Sequence, residues 1–225
     1  LLMSEARVIT MAGDIFKPPS LPQLQQEQGE VYVQVVTDKA IRDTAVDMIH
    51  ATEKGDTVDL LMFYLAERNI LKELIDASLR EVSVRLIMDP NKDAFGREKN
   101  GIPNREVADY LIQKSKGAIT VRWCDTHGEQ CHGKMLTTHT KEGYRMMLGS
   151  ANFTRRNIGG YNLETNIVVH SKETYQSWNE ASSYFDSLWN NTQGNFSVEY
   201  EMYKDESTIK KITAWIMENI GLGTF

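Results

Sequence analysis

Between Cys131 and Asn152, in CHGKMLTTHTKEGYRMMLGSAN, an imidazole, a primary amine, a hydroxyl and a carboxamide recur at short spacing. His132 and Lys134 are separated by a single residue, which on an extended chain puts both side chains on one side of a sheet. Thr140-Lys141-Glu142-Gly143 supplies a turn in which Gly143 can take positive φ, and Tyr144 to Leu148 reads as the returning strand. Ser150 and Asn152 follow where that strand ends, beside the start of the first. A nucleophile or acid, a fixed cation and two neutral donors are what a phosphoryl group requires.

Other elements must hold that hairpin in place. Val31 to Val36 is rich in β-branched residues and reads as a strand. Asp38 to Lys54 carries Ile41, Ala45, Met48 and Ile49 at helical spacing and stops at Gly55. Val58 to Tyr64 and Val82 to Met88 are apolar strands, with a helix from Ile70 to Leu79 between them. Arg105 to Ser115 predicts a further helix and Ala118 to Trp123 a further strand. Ser171 to Asn190 predicts a helix whose stripe of Trp178, Ala181, Tyr184, Phe185 and Leu188 serves packing. A short strand near Phe196 to Tyr203 and a helix over 205–220 complete the series. This alternation predicts an α/β fold with a mixed, mostly parallel β-sheet flanked by helices on both faces, an α-β-α sandwich. Residues 1–29, with Lys17-Pro18-Pro19 and a Gln-rich run, read as an arm or linker, and 30–225 as one catalytic domain.

The composition is that of a globular chain, with 41% hydrophobic and 25% charged residues. A net charge of −6 offers no general basic surface, so a nucleic-acid partner is disfavoured. The polar loop 91–104 falls at the carboxyl end of a strand, where Lys92, Arg97 and Lys99 are candidates for head-group or substrate contacts. Cys124 and Cys131 are expected to be free thiols rather than a local disulfide, and neither they nor any other residues suggest a metal site. The sequence opens with Leu1-Leu2, which reads as a fragment of a longer protein, and it fixes no cellular location.

His132-x-Lys134, then Gly149-Ser150-x-Asn152, then Asn162-x-Glu164 resembles the phospholipase D superfamily, whose signature is H-x-K-x4-D, G-S-x-N and N-x-E in that order. One position departs: His139 stands where the family usually has Asp. A second H-x-K, His139-Thr140-Lys141, falls in the hairpin turn without its own G-S-x-N and is read as non-catalytic. The resemblance covers about residues 30–170 and looks most like the C-terminal half of a duplicated bacterial phospholipase D-like protein. It implies a phosphodiesterase or phosphatidyltransferase (cardiolipin-synthase-like) acting on phospholipid head groups through a phosphohistidine, with no metal or cofactor. By the same resemblance His132, Lys134 and Glu164 are catalytic, with Glu164 orienting the imidazole, and Lys134, Ser150 and Asn152 hold the phosphate oxygens. A second His-Lys motif is needed, from a missing N-terminal half or a homodimer mate. The alternatives are a nuclease of the same chemistry active as a homodimer, and an isolated half that binds without turnover.

Overall fold

The computed structural model describes residues 31–94, 97–98 and 101–204. The arm expected at 1–29, the helix expected over 205–220 and both ends of the domain expected at 30–225 lie outside the described residues. The chain runs β1 (Val31–Thr37), α1 (Lys39–His50), β2 (Thr57–Met62), α2 (Arg68–Leu79), β3 (Ser83–Met88), the two-residue β4 (Asp93–Ala94) and β5 (Arg97–Glu98), and α3 (Asn104–Lys114). It continues through β6 (Ile119–Cys124), β7 (Lys134–Thr140), β8 (Gly143–Gly149), α4 (Arg155–Ile158), β9 (Thr165–Ser171), α5 (Gln176–Asn190) and β10 (Ser197–Glu199) to a 3-10 turn over Tyr200–Tyr203. Eight strands form one sheet in the order β1-β9-β8-β7-β2-β3-β6-β10.

The sheet is mixed and has helices on both faces, as the alternation of elements predicts. It is not mostly parallel. Only β2–β3 and β3–β6 are parallel, and the other five pairings are antiparallel. The physical reason is connection length. Parallel neighbours need a crossover, which α2 and α3 provide, whereas β7 and β8 are joined by a tight turn and must run antiparallel.

The pleat then sorts side chains to two cores. Leu60 and Met62 of β2, with Val84, Leu86 and Met88 of β3, pack under α1, α2 and α3 through Ile41, Met48, Ile70, Leu74 and Leu111. Leu61, Ile87 and Met135 face the opposite way and pack on Phe185 of α5. Trp178 and Tyr184 of the expected stripe are peripheral; Trp178 lies edge-on to Tyr144, and Tyr184 is exposed. An ionic cluster pins α5 down: Arg85 clasps Asp59 at 2.7 Å with two nitrogens and reaches Asp186 at 2.9 Å. Burial raises the Asp59 pKa, a shift that its bond to Arg85 opposes.

Two expectations are corrected here. The helix expected from Ser171 starts at Gln176, because 165–171 (TNIVVHS) is β9, with Asn166 and Val168 buried on one face of the sheet. Cys124 and Cys131 are not free thiols but form a disulfide. Strand β6 ends at Cys124 and the connection to β7 doubles back, so seven positions of chain return the second sulfur to the first, which spacing alone does not reveal.

Candidate active site

The carboxyl ends of β2, β3 and β8 and the amino ends of β7 and β9 all fall on one edge of the sheet, and the motif residues are gathered there. Lys134 opens β7 opposite Met62, the last residue of β2. The segment after β2 is tied to both motif loops: Phe63 N–H donates to Gly133 O at 2.9 Å, and Phe153 N–H donates to Tyr64 O at 3.0 Å. Asn104, fully buried, accepts from Leu65 N–H at 2.9 Å and donates to Phe63 O and Asp89 O at 2.7 and 2.8 Å. Asp89 in turn accepts from Cys131 N–H at 2.7 Å, which together with the disulfide fixes the chain entering His132.

His132 lies just before β7 rather than in it, yet its ring is on the same side as Lys134. The Lys134 ammonium is 3.1 Å from Nδ1 and 3.4 Å from Nε2 of His132. Phe63 lines the site beneath both, its ring 4.6 Å from the imidazole and 5.3 Å from Nζ. An ammonium can only donate, so the contact suits a neutral imidazole better than a charged one. The electrostatics agree. Burial and the neighbouring ammonium lower the His132 pKa below its usual value. Burial pushes the Lys134 ammonium down to about 8, opposed by attraction to Glu164.

Glu164, just before β9, is held by two donors: Ser150 Oγ donates to Oε2 and Asn157 Nδ2 to Oε1, both at 2.5 Å. Among the described residues no hydrogen bond joins Glu164 to His132; its link to the pair runs through the Lys134 charge. Ser150 Oγ also accepts from Thr165 N–H at 3.1 Å, so the hydroxyl couples β8 to β9. Asn152 is half-buried, and its Oδ1 has no hydrogen-bond partner among the described residues.

The edge therefore brings together His132, Lys134, Ser150 and Glu164, and it adds Phe63, Asp89 and Asn157, which motif reading missed. For Asn157 a signal was legible: Thr154 caps α4 by accepting from Asn157 N–H, the Thr-x-x-Asn spacing of a helix start. Lys92 donates to Thr126 O at 2.7 Å and sits over the Tyr203 ring, Arg97 is described in its backbone only, and Lys99 lies outside the described residues. His139 is exposed and stacks on Tyr144 at the turn end of the hairpin, away from the motif.

This arrangement places a neutral imidazole beside a retained but weakened cation and a fixed carboxylate, the groups needed to attack and stabilise a phosphodiester. Nuc from Salmonella typhimurium, a phospholipase D family member, matches in structure with a TM-score of 0.59 at 18% identity, over 76% of this chain and 98% of that one. NucT from Helicobacter pylori matches at 0.55 and 13%, over 75% of this chain and 99% of that one. Phosphatidylserine synthase from Haemophilus influenzae Rd KW20 matches at 0.57 and 11%, over 85% of this chain but only 46% of that one. No curated protein matches the chain by sequence. The family model described as "Cardiolipin synthase, PLD-like domain" matches residues 45–189, more than half of the chain and every motif residue, so this chain belongs to the phospholipase D superfamily.

Proposed function

We propose that this chain is a phosphodiesterase or phosphatidyltransferase that acts on phospholipid head groups through a phosphohistidine on His132. The observation that supports the reading is the Lys134 ammonium held 3.1 Å from the His132 ring, where it can pass to a phosphate oxygen and leave the imidazole lone pair free. The lone pair of that imidazole attacks phosphorus, the phosphorus–oxygen bond to the leaving alcohol breaks, and a general acid protonates the alcohol as it departs. Water or an acceptor alcohol then displaces the histidine and restores it. Lys134 and Asn152 hold the non-bridging oxygens, and Ser150 supports them while keeping Glu164 in place. Loss of one such donor typically costs about 3 kcal/mol of transition-state stabilisation.

The chain carries one copy of the motif, so the acid comes from a second copy, either in a homodimer or in a further half of a longer protein. The reading is tested by quenching a reaction with phosphatidylglycerol, labelled in its phosphate, in alkaline dodecyl sulfate. Wild-type protein is expected to retain base-stable, acid-labile label, and His132→Ala to retain none. Label that persists in His132→Ala refutes the assignment. Added glycerol or ethanol diverts the product if transfer competes with hydrolysis.

A further inference from the structure

The N-x-E segment alternates. Asn162 and Glu164 are half-buried, whereas the residues between and before them stand in solvent: Leu163 is 84% exposed and Tyr161 67%. An isolated exposed leucine is ordinary, but here it is next to a functional carboxylate and beside an exposed tyrosine. Cations surround the pair. The Arg155 guanidinium lies 5.9 Å from the Tyr161 ring, and Arg156 beside it is exposed. Lys39, at the start of α1, lies across Gly160, whose added Cβ would come within 3.0 Å of its side chain. Lys39, Tyr161 and Leu163 line one open groove, in which Asp38 is the acidic group. Asp38 N–H donates to Glu164 O at 3.3 Å, which ties the groove's wall to the backbone of the motif carboxylate.

We infer that this rim, Lys39, Arg155, Arg156, Tyr161 and Leu163, docks on an anionic phospholipid bilayer and brings the head group to His132. The inference rests on the lipid reading above. A chain of net charge −6 is repelled by an anionic surface as a whole, so cations concentrated beside the site act as a local attractor. Tyrosine suits the interface, where its ring is apolar and its hydroxyl wet, and leucine suits the acyl boundary beneath. Leu163 favours a bilayer over a polynucleotide. A phosphate-tracking groove uses cations and aromatic platforms and has no use for an exposed aliphatic side chain at its mouth.

The test is co-sedimentation with vesicles of phosphatidylcholine, with and without phosphatidylglycerol, alongside turnover of dibutanoyl phosphatidylcholine below its micelle threshold. Leu163→Ser is expected to weaken vesicle binding about tenfold. Arg155→Gln with Arg156→Gln is expected to cost about tenfold on phosphatidylglycerol-containing vesicles and little on phosphatidylcholine alone. Each variant should turn over the soluble diester like wild type. Vesicle binding unchanged in Leu163→Ser and in the arginine pair overturns the inference, as does wild type that binds a single-stranded oligonucleotide but no vesicle. Wild type that binds vesicles through this rim yet cleaves neither substrate leaves the rim standing and sinks the lipid-cleaving reading instead.

Discussion

At the scale of single residues, the site is a compromise over one proton. In the proposed reaction Lys134 must be charged to hold phosphate, yet burial lowers its pKa to about 8. We therefore expect kcat/KM, which reports the free enzyme, to fall as pH rises past about 8, while kcat falls later because bound phosphate restores the ammonium. On the acid side kcat/KM should fall only below the ordinary histidine value, since His132 is shifted down. Glu164 raises the Lys134 pKa, so Glu164→Gln should move the alkaline limb to lower pH as well as lowering the rate. An unmoved limb would mean that the carboxylate does not act through the lysine. Stability runs the other way. The folded chain binds fewer protons at Lys134 than the unfolded chain between about 8 and the ordinary 10.5, so stability rises with pH across that window. Lys134→Met should accordingly abolish turnover while raising the urea midpoint at neutral pH, because a desolvated cation is removed.

At the scale of elements, the site depends on connections rather than on strands. Asn104 closes the segment after β2 with three buried backbone bonds. Asn104→Ala strands those partners and is expected to destabilise by about 4 kcal/mol in urea unfolding. It should also lower the rate in the surviving folded fraction, since Phe63 beneath His132 loses its anchor. The Cys124–Cys131 disulfide closes a short loop immediately before His132. Replacing both with serine is expected to cost about 2 kcal/mol through the freed unfolded chain. Equal urea midpoints for the double variant and the parent would remove the bridge from this account. Gly143 is fixed by a different constraint: its φ is +134° and a Cβ there would meet Ser171 O at 2.2 Å, so the β7–β8 turn tolerates no side chain.

For the whole molecule, one sheet edge gathers one His-Lys pair, and the chemistry proposed asks for two. Nuc and NucT are matched over nearly their whole length and phosphatidylserine synthase over less than half, so the same fold is found in single-unit and longer chains. If two copies of this chain complete the site, specific activity per chain should fall on dilution in step with the loss of dimer, followed by light scattering. Constant specific activity in a strictly monomeric sample would show that one motif suffices.

By itself the sequence determined the family and the class of fold. His132-x-Lys134, Gly149-Ser150-x-Asn152 and Asn162-x-Glu164 were legible because each depends on residue type and short spacing, which local backbone periodicity converts into facing direction. The apolar runs of β2 and β3 and the stripes of α1 and α2 were legible for the same reason. The three-dimensional structure alone decided which strands are antiparallel, that Cys124 meets Cys131, and that Ser150 and Asn157 hold Glu164. It also placed Lys92 on Tyr203 and Thr126. Those outcomes turn on contacts between segments distant in the chain, or on how a loop doubles back, and short-range pattern carries no information about either.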